Sequence, residues 1–225
     1  MWFWRALKLF FSSQWASFQY VYAVYFMRRL QTPIVTIFGG KRAAADSFYV
    51  QQTHELARRL ALSKISVLTG GGPGIMEAAN CGVYDALQTK KIASRYTLGI
   101  GVRDVNGEFT SRCTRVVTMS YFYMRKWLLM RYSEAFIFFP GGIGTADELF
   151  ELLNLMKLQK LPTKPVVLCG AAYWQPLLHW FYDHVLAQGF IPESCRHMIL
   201  VTDDLDKIVS IIHETCGTEI KKKSE

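Results

Sequence analysis

From Thr32 onward, short runs of apolar, mostly β-branched residues alternate with longer stretches of helical periodicity. Strands are expected at residues 34–38, 65–68, 98–102, 115–119, 135–139 and 166–169, with a short edge strand at 198–201. Helices are expected at 47–62, 74–87, 121–132, 145–158, 174–187 and 205–213. Runs this short and this apolar suit strands whose two faces are both covered. Their alternation with helices implies a parallel sheet joined by right-handed crossovers. The spacing therefore predicts an α/β, Rossmann-like three-layer fold over residues 32–216. An N-terminal amphipathic helix lies within 1–31 and a basic tail at 217–225, whose end, 221–225, is expected to fray. At 225 residues the chain suits one such domain.

Two turns stand out in this pattern. Thr69-Gly70-Gly71-Gly72-Pro73-Gly74 follows the second strand and opens a helix. Pro140-Gly141-Gly142-Ile143-Gly144-Thr145 follows the fifth strand and opens another. Glycine lets backbone approach a ligand closely. A helix start offers free N–H groups and the positive end of the dipole. Strand, glycine turn and helix start together make an anion site, at the strand ends where open α/β sheets bind ligands. The plain alternative is a pair of tight βα turns. Neither turn is a P-loop, and the first lacks the GxGxxG spacing of a dinucleotide fold and an acid after the next strand.

Glu148 lies three residues after Thr145, which fits a capping box. It fits equally a carboxylate one helical turn from a bound phosphate, where it would stabilise positive charge at an anomeric carbon or activate water. Arg125 and Lys126 read either as a solvated basic face or as a fork onto phosphate or ribose. Tyr121, Phe122 and Tyr123 are candidates for the wall of a base pocket, or for core. The five histidines form no metal or catalytic pattern, and no GxSxG elbow occurs.

The net charge of +8 fits an anionic partner. Nucleic acid is disfavoured, because the basic residues are scattered and no aromatic platform is visible. The five cysteines are odd in number and include no CxxC, so neither zinc nor a disulfide framework is expected. Reduced thiols in a cytoplasmic protein are the plain reading. Residues 9–27 carry no charge and approach the length of a membrane span. But serines and glutamines interrupt them, and Leu7, Phe11, Trp15, Phe18, Tyr22 and Tyr25 recur at helical steps. That stripe is expected to dock on the body or a second subunit, with membrane contact through residues 1–30 as the alternative. No small-residue cleavage site follows, so a signal peptide is not expected.

The segment Gly70-Gly71-Gly72-Pro73-Gly74-Ile75-Met76-Glu77-Ala78-Ala79-Asn80, with Pro140-Gly141-Gly142-Ile143-Gly144-Thr145-Ala146-Asp147-Glu148, resembles the LOG ("lonely guy") family. Its members are cytokinin riboside 5′-monophosphate phosphoribohydrolases, long described as possible lysine decarboxylases. Ile37-Phe38-Gly39-Gly40-Lys41-Arg42 looks like the family's first-strand turn, and Arg125-Lys126 like its arginine–lysine pair. The resemblance spans about residues 34–213, and its PGGxGTxxE pattern is intact. It implies hydrolysis of the N-glycosidic bond of a nucleoside 5′-monophosphate, releasing free base and ribose 5-phosphate. Arg125 and Glu148 would be the catalytic pair. Gly141, Gly142, Gly144 and Thr145 would hold the phosphate, with Gly71, Gly72 and Gly74 lining the pocket and Met124 and Lys126 at the substrate. The resemblance also implies no metal or organic cofactor, and a homodimer. No lysine has the setting of a Schiff-base residue for decarboxylation. Where plant-type members carry Met-His-Glu, this chain has Phe122-Tyr123-Met124. The stretch 103–112 and Asp147 also differ, which places the chain nearer the broader bacterial branch. Binding or carriage of a nucleotide or other phosphate compound without turnover is the alternative function.

Overall fold

A computed structural model describes residues 2–88, 90–103, 111 and 113–223, without the side chains of 3, 6, 8, 9, 90 and 216–223. A long helix α1 (Trp2–Met27) precedes the strand–helix alternation. It continues β1 (Ile34–Phe38), α2 (Phe48–Leu62), β2 (Ser66–Thr69), α3 (Ile75–Leu87), a single turn α4 (Lys90–Ala93), β3 (Thr97–Val102) and β4 (Arg115–Met119). Then come α5 (Phe122–Arg131), β5 (Ala135–Phe138), α6 (Ile143–Lys157), β6 (Val166–Leu168), α7 (Ala171–Trp180), β7 (Ile199–Val201) and α8 (Leu205–Lys223). All strand pairs are parallel, and the sheet runs β4-β3-β2-β1-β5-β6-β7. The expected three-layer Rossmann-like fold is what the chain adopts.

The order has one reversal. Up to β4 the strands step outward from β1 on one side, and the chain then crosses to β5 on the other. The carboxyl ends of β1 and β5 therefore flank the topological switch point, the usual crevice for ligands in such sheets. Every residue of β1, β2, β3, β5 and β6 is buried, which is why these runs read as unbroken apolar segments. Alternate residues feed two cores. Val35, Ile37, Val67 and Ile137 face α2, α3 and α8, while Phe38, Leu68, Ile100 and Phe138 face α1, α5, α6 and α7. Each fully buried large side chain contributes roughly 1.5–3 kcal/mol.

Three expectations change. α8 runs to Lys223, well beyond the end at 213 expected for the closing helix. Cys81 and Cys113 form a disulfide, while Cys169 and Cys195 are free and buried. Pairing is a matter of spatial approach, and a separation of 32 residues leaves no CxxC-like signature. The cysteine count thus loses its force as an argument for a cytoplasmic setting. Finally, α1 docks through the face opposite to the expected one. Ala16, Ala23 and Met27 are buried, and Gln19 accepts a hydrogen bond from the Ser120 N–H at 3.0 Å. Trp15, Phe18, Tyr22 and Tyr25 remain 43–60% exposed. Small side chains let the helix backbone lie close against the β3–β4 edge of the domain, and the bulky stripe is turned outward. No helix among the described residues is long and apolar enough to cross a membrane.

Candidate active site

Three turns meet at the switch point. The N–H of Gly40, after β1, donates to Pro140 O at 3.0 Å, and the N–H of Ile75 donates to Gly40 O at 3.2 Å. The β1 turn is thus wedged between the two glycine turns. A methyl group on Gly39 would lie 2.4 Å from Ile75 Cγ2, so the first turn of α3 presses directly on this backbone.

The first glycine turn is fixed by the protein's own atoms. Gly71 and Gly74 have φ of +69° and +67°, and a Cβ on Gly74 would meet Gly40 O at 2.5 Å. Both positions need glycine for conformation and for space. Thr69 Oγ1 accepts from the Gly71 N–H at 3.1 Å and pairs with the buried Asn80 amide, which also accepts from Thr97 Oγ1 at 2.9 Å. Asn80 thereby ties the end of β2 to the start of β3 beneath the turn. Gly72 is buried in the same bend.

The second glycine turn is built differently. α6 begins at Ile143, two residues earlier than expected, with Gly142 as N-cap. The reason is conformational: Gly144 stands inside the first helical turn, where it reads in sequence as a loop residue. Thr145 is then the third helical residue, and the capping box to Glu148 is not made. The Thr145 side chain folds back on Gly141, whose Cβ would lie 2.2 Å from Thr145 Oγ1. Added methyl groups on Gly142 and Gly144, by contrast, would meet nothing within 4 Å. Both glycines are exposed, at a helix start whose first N–H groups have no partner within the helix.

Arg125 and Glu148 lie where the two turns converge. Arg125 Nη2 is 3.3 Å from Glu148 Oε1, and each side chain is 9% exposed. Arg125 Nε donates to Ile100 O at 3.1 Å, and its guanidinium packs on Gly70, where a Cβ would fall 2.1 Å from Nη2. The first turn needs glycine at 70 to leave room for this arginine, a non-local demand invisible in sequence. Burial pushes the Glu148 carboxyl up to about 7, and the opposing pull of the Arg125 and Lys126 charges is too weak to restore its ordinary value. The ion pair therefore holds a carboxyl that exchanges its proton near neutrality.

The other expected site residues separate into groups. Lys126 Nζ lies 2.5 Å from Asp147 and 2.7 Å from Glu151. Burial works against its charge, but bonds to these two carboxylates outweigh it and raise its pKa. Its ammonium clasps α5 to α6, and Asp147 has its role in that clasp. Met124 is buried in the core and lines a groove of about 760 Å³ between α1 and α5. Tyr121 and Tyr123 wall that same groove, and the Tyr121 hydroxyl hydrogen-bonds with Ser12 of α1. Phe122 is the aromatic near the pair, with the Arg125 guanidinium 5.4 Å from its ring centre. Of the stretch 103–112, residues 104–110 and 112 lie outside the described residues. Lys41 and Arg42 line a depression of about 830 Å³ with Pro73, Gly74 and Glu77, beside the first turn. Tyr173 was missed by sequence reasoning. Its hydroxyl donates to Gly141 O and braces the second turn from behind. No cluster of metal-binding side chains occurs among the described residues.

Comparison with known proteins bears on this geometry. A family model described as "possible lysine decarboxylase" matches residues 76–212. A cytokinin riboside 5′-monophosphate phosphoribohydrolase of Rhodococcoides fascians is 30% identical over 186 residues, covering 79% of this chain and 88% of that protein. One from Arabidopsis thaliana is 28% identical over 186 residues, covering 80% and 82%. Among solved structures, the molybdenum cofactor carrier protein of Chlamydomonas reinhardtii aligns with a TM-score of 0.59 at 22% identity, over 82% of this chain and 98% of that one. At that identity the likeness concerns the fold alone.

Proposed function

Since the chain belongs to the LOG family, we propose that it hydrolyses the N-glycosidic bond of a nucleoside 5′-monophosphate, giving free base and ribose 5-phosphate. The observation that carries this reading is the buried Arg125–Glu148 pair at the meeting point of the two glycine turns. The phosphate sits on the N–H groups of Gly142, Ile143 and Gly144 at the start of α6, in the space that the bare glycines leave open. Glu148 is four residues beyond Gly144, roughly 6 Å along the axis, a spacing that suits the ribose carbon bearing the base.

In the reaction the C1′–N bond breaks with its electron pair going to the base, which takes up a proton. Positive charge grows on the ribose ring, and the ionised Glu148 stabilises it. Water adds to C1′, and its proton passes to the carboxylate, which returns it to solvent as solvent water protonates the departing base. Arg125 orients Glu148 and offers its remaining N–H donors to the sugar or phosphate. Decarboxylation through a lysine Schiff base is a poor match for Lys126. Two carboxylates hold its amine in the protonated, non-nucleophilic form. The substrate is a nucleoside monophosphate of the adenylate or cytokinin type, and the working unit is a homodimer.

Incubation with AMP and with N6-substituted adenosine monophosphates, followed by chromatography for free base, tests the reading. Base release from a monophosphate, and none from the corresponding nucleoside, is expected. Saturable binding of all the monophosphates without release of base would replace this reading with the carrier alternative.

A further inference from the structure

The outward face of α1 is an unbroken run of aromatic contacts. Trp15 and Phe18 stack with ring centres 5.7 Å apart, Phe18 and Tyr22 with 6.3 Å, and Tyr22 and Phe26 meet edge-on at 4.9 Å. The run ends on two guanidinium groups. Arg29 lies 4.1 Å from the centre of the Tyr25 ring and Arg115 lies 4.4 Å from that of Phe26. These two, with Arg28 and Arg95, line a single depression of about 500 Å³ at the end of α1.

The charged side chains lining this depression among the described residues are all arginines. The chain has no acidic residue before Asp46, while Arg5, Lys8, Arg28, Arg29, Lys41 and Arg42 precede it. Ion-paired arginines among the described residues are Arg58, Arg59, Arg125 and Arg196. Arg28, Arg29, Arg95 and Arg115 come from α1's end, the approach to β3 and the start of β4, yet none of them is in an ion pair among the described residues. Four cations gathered in one hollow with no carboxylate among its described lining residues repel one another, and an anion relieves that repulsion.

We propose that this face docks the protein on an anionic phospholipid surface. The rings of Trp15, Phe18 and Tyr22 enter the boundary between headgroups and acyl chains, and the four arginines receive lipid phosphates. A basic helix with aromatic residues on one side and no acid is the composition that lies in the plane of such a surface. Here the helix is held ready, because Ala16, Gln19, Ala23 and Met27 anchor its other side to the domain. The contact is peripheral, since no described helix can span the bilayer. A second copy of the chain is the competing occupant. A two-fold contact would set this face against itself, cation against cation, with no carboxylate along α1 to answer them.

Co-sedimentation of the full chain with vesicles tests the proposal. The protein should pellet with phosphatidylcholine vesicles that contain phosphatidylglycerol, at least about tenfold more than with phosphatidylcholine alone, and added salt should release it. Arg28→Glu with Arg29→Glu should reduce binding about tenfold or more. Phe18→Ser with Tyr22→Ser should weaken it while an unchanged thermal melt shows that the fold is kept. Arg95→Glu with Arg115→Glu serves as an independent pair if the first does not fold. Equal binding to both vesicle types, or to neither, overturns the proposal. A dimer seen by sedimentation velocity that Phe18→Ser dissolves, without vesicle binding, assigns the face to a second copy instead. Base release in solution is unaffected by these outcomes, so they leave the glycosidase reading to its own test.

Discussion

The two glycine turns look alike in sequence and are built on opposite grounds. In the first, Gly70, Gly71 and Gly74 are compelled by the protein itself, through the Arg125 guanidinium, a positive φ and the carbonyl of Gly40. In the second, Gly142 and Gly144 face open space, so the fold makes no steric demand for glycine there. The lesson is that one turn is shaped by its neighbours, while the other leaves room that the protein itself does not fill. A glycine with nothing near it, at an exposed helix start, marks the room kept for a ligand more directly than a crowded one.

That contrast can be broken by substitution, and its largest test lies where the turns converge. Glu148→Gln should lower kcat for base release by about 10²–10⁴-fold while monophosphate binding, followed by calorimetry, is retained. Turnover near the original rate would remove the carboxylate from the chemistry. Next in size is the crowded turn. Gly74→Ala should cost about 3 kcal/mol or more in a denaturant melt, because a Cβ must enter a positive-φ bend 2.5 Å from a carbonyl. A melt unchanged by that substitution would erase the distinction between the turns. The open turn should respond the other way. Gly144→Ala should hold or raise stability by up to about 1 kcal/mol, as alanine does in a helix, while KM rises about tenfold. If KM is unmoved, the space at the start of α6 is not the phosphate site.

The last effect concerns pH. An unfolded glutamate ionises near the ordinary value of 4.5, whereas buried Glu148 holds its proton to about 7. Between those values the unfolded chain releases a proton that the folded chain keeps, so stability falls as pH rises through the window. Glu148→Gln should therefore melt higher than the parent at pH 8, and the two should converge at pH 4. Over the same window kcat/KM should climb toward a plateau above about 7, because the reaction uses the ionised carboxylate. A flat activity profile would assign the ionisation to stability alone.

The strands were legible because helices cover both faces, and burial on both sides leaves an apolar run with nothing to mislead. β1, buried throughout, falls where the pattern places it. The start of α6 was displaced because Gly144, a poor helix former, reads as a loop residue yet sits inside the first helical turn. α1 was the deeper misreading. A periodic stripe of large rings ordinarily marks the buried face, but here close approach to the sheet edge selected Ala16 and Ala23, and the rings were left outside. The candidate pair was visible through its motifs, yet its geometry was not. The contact of Arg125 with Gly70 and the brace from Tyr173 to Gly141 join residues far apart in the chain. So does the bond between Cys81 and Cys113.

The strand order also bears on how such a chain changes by descent. Everything in the cleft comes from segments that end before the middle of α6. Beyond it, Gly170 and Tyr173 reach the second turn, from behind Pro140 and Gly141. Substitutions elsewhere in β6, α7, β7 and α8 are felt through folding and not through the ligand. Under the proposed reaction, most of the last third of the protein is constrained by stability alone. A lineage exchanging one base for another would instead rewrite the opening of α5 and the approaches to the switch point, and would inherit the rest unaltered.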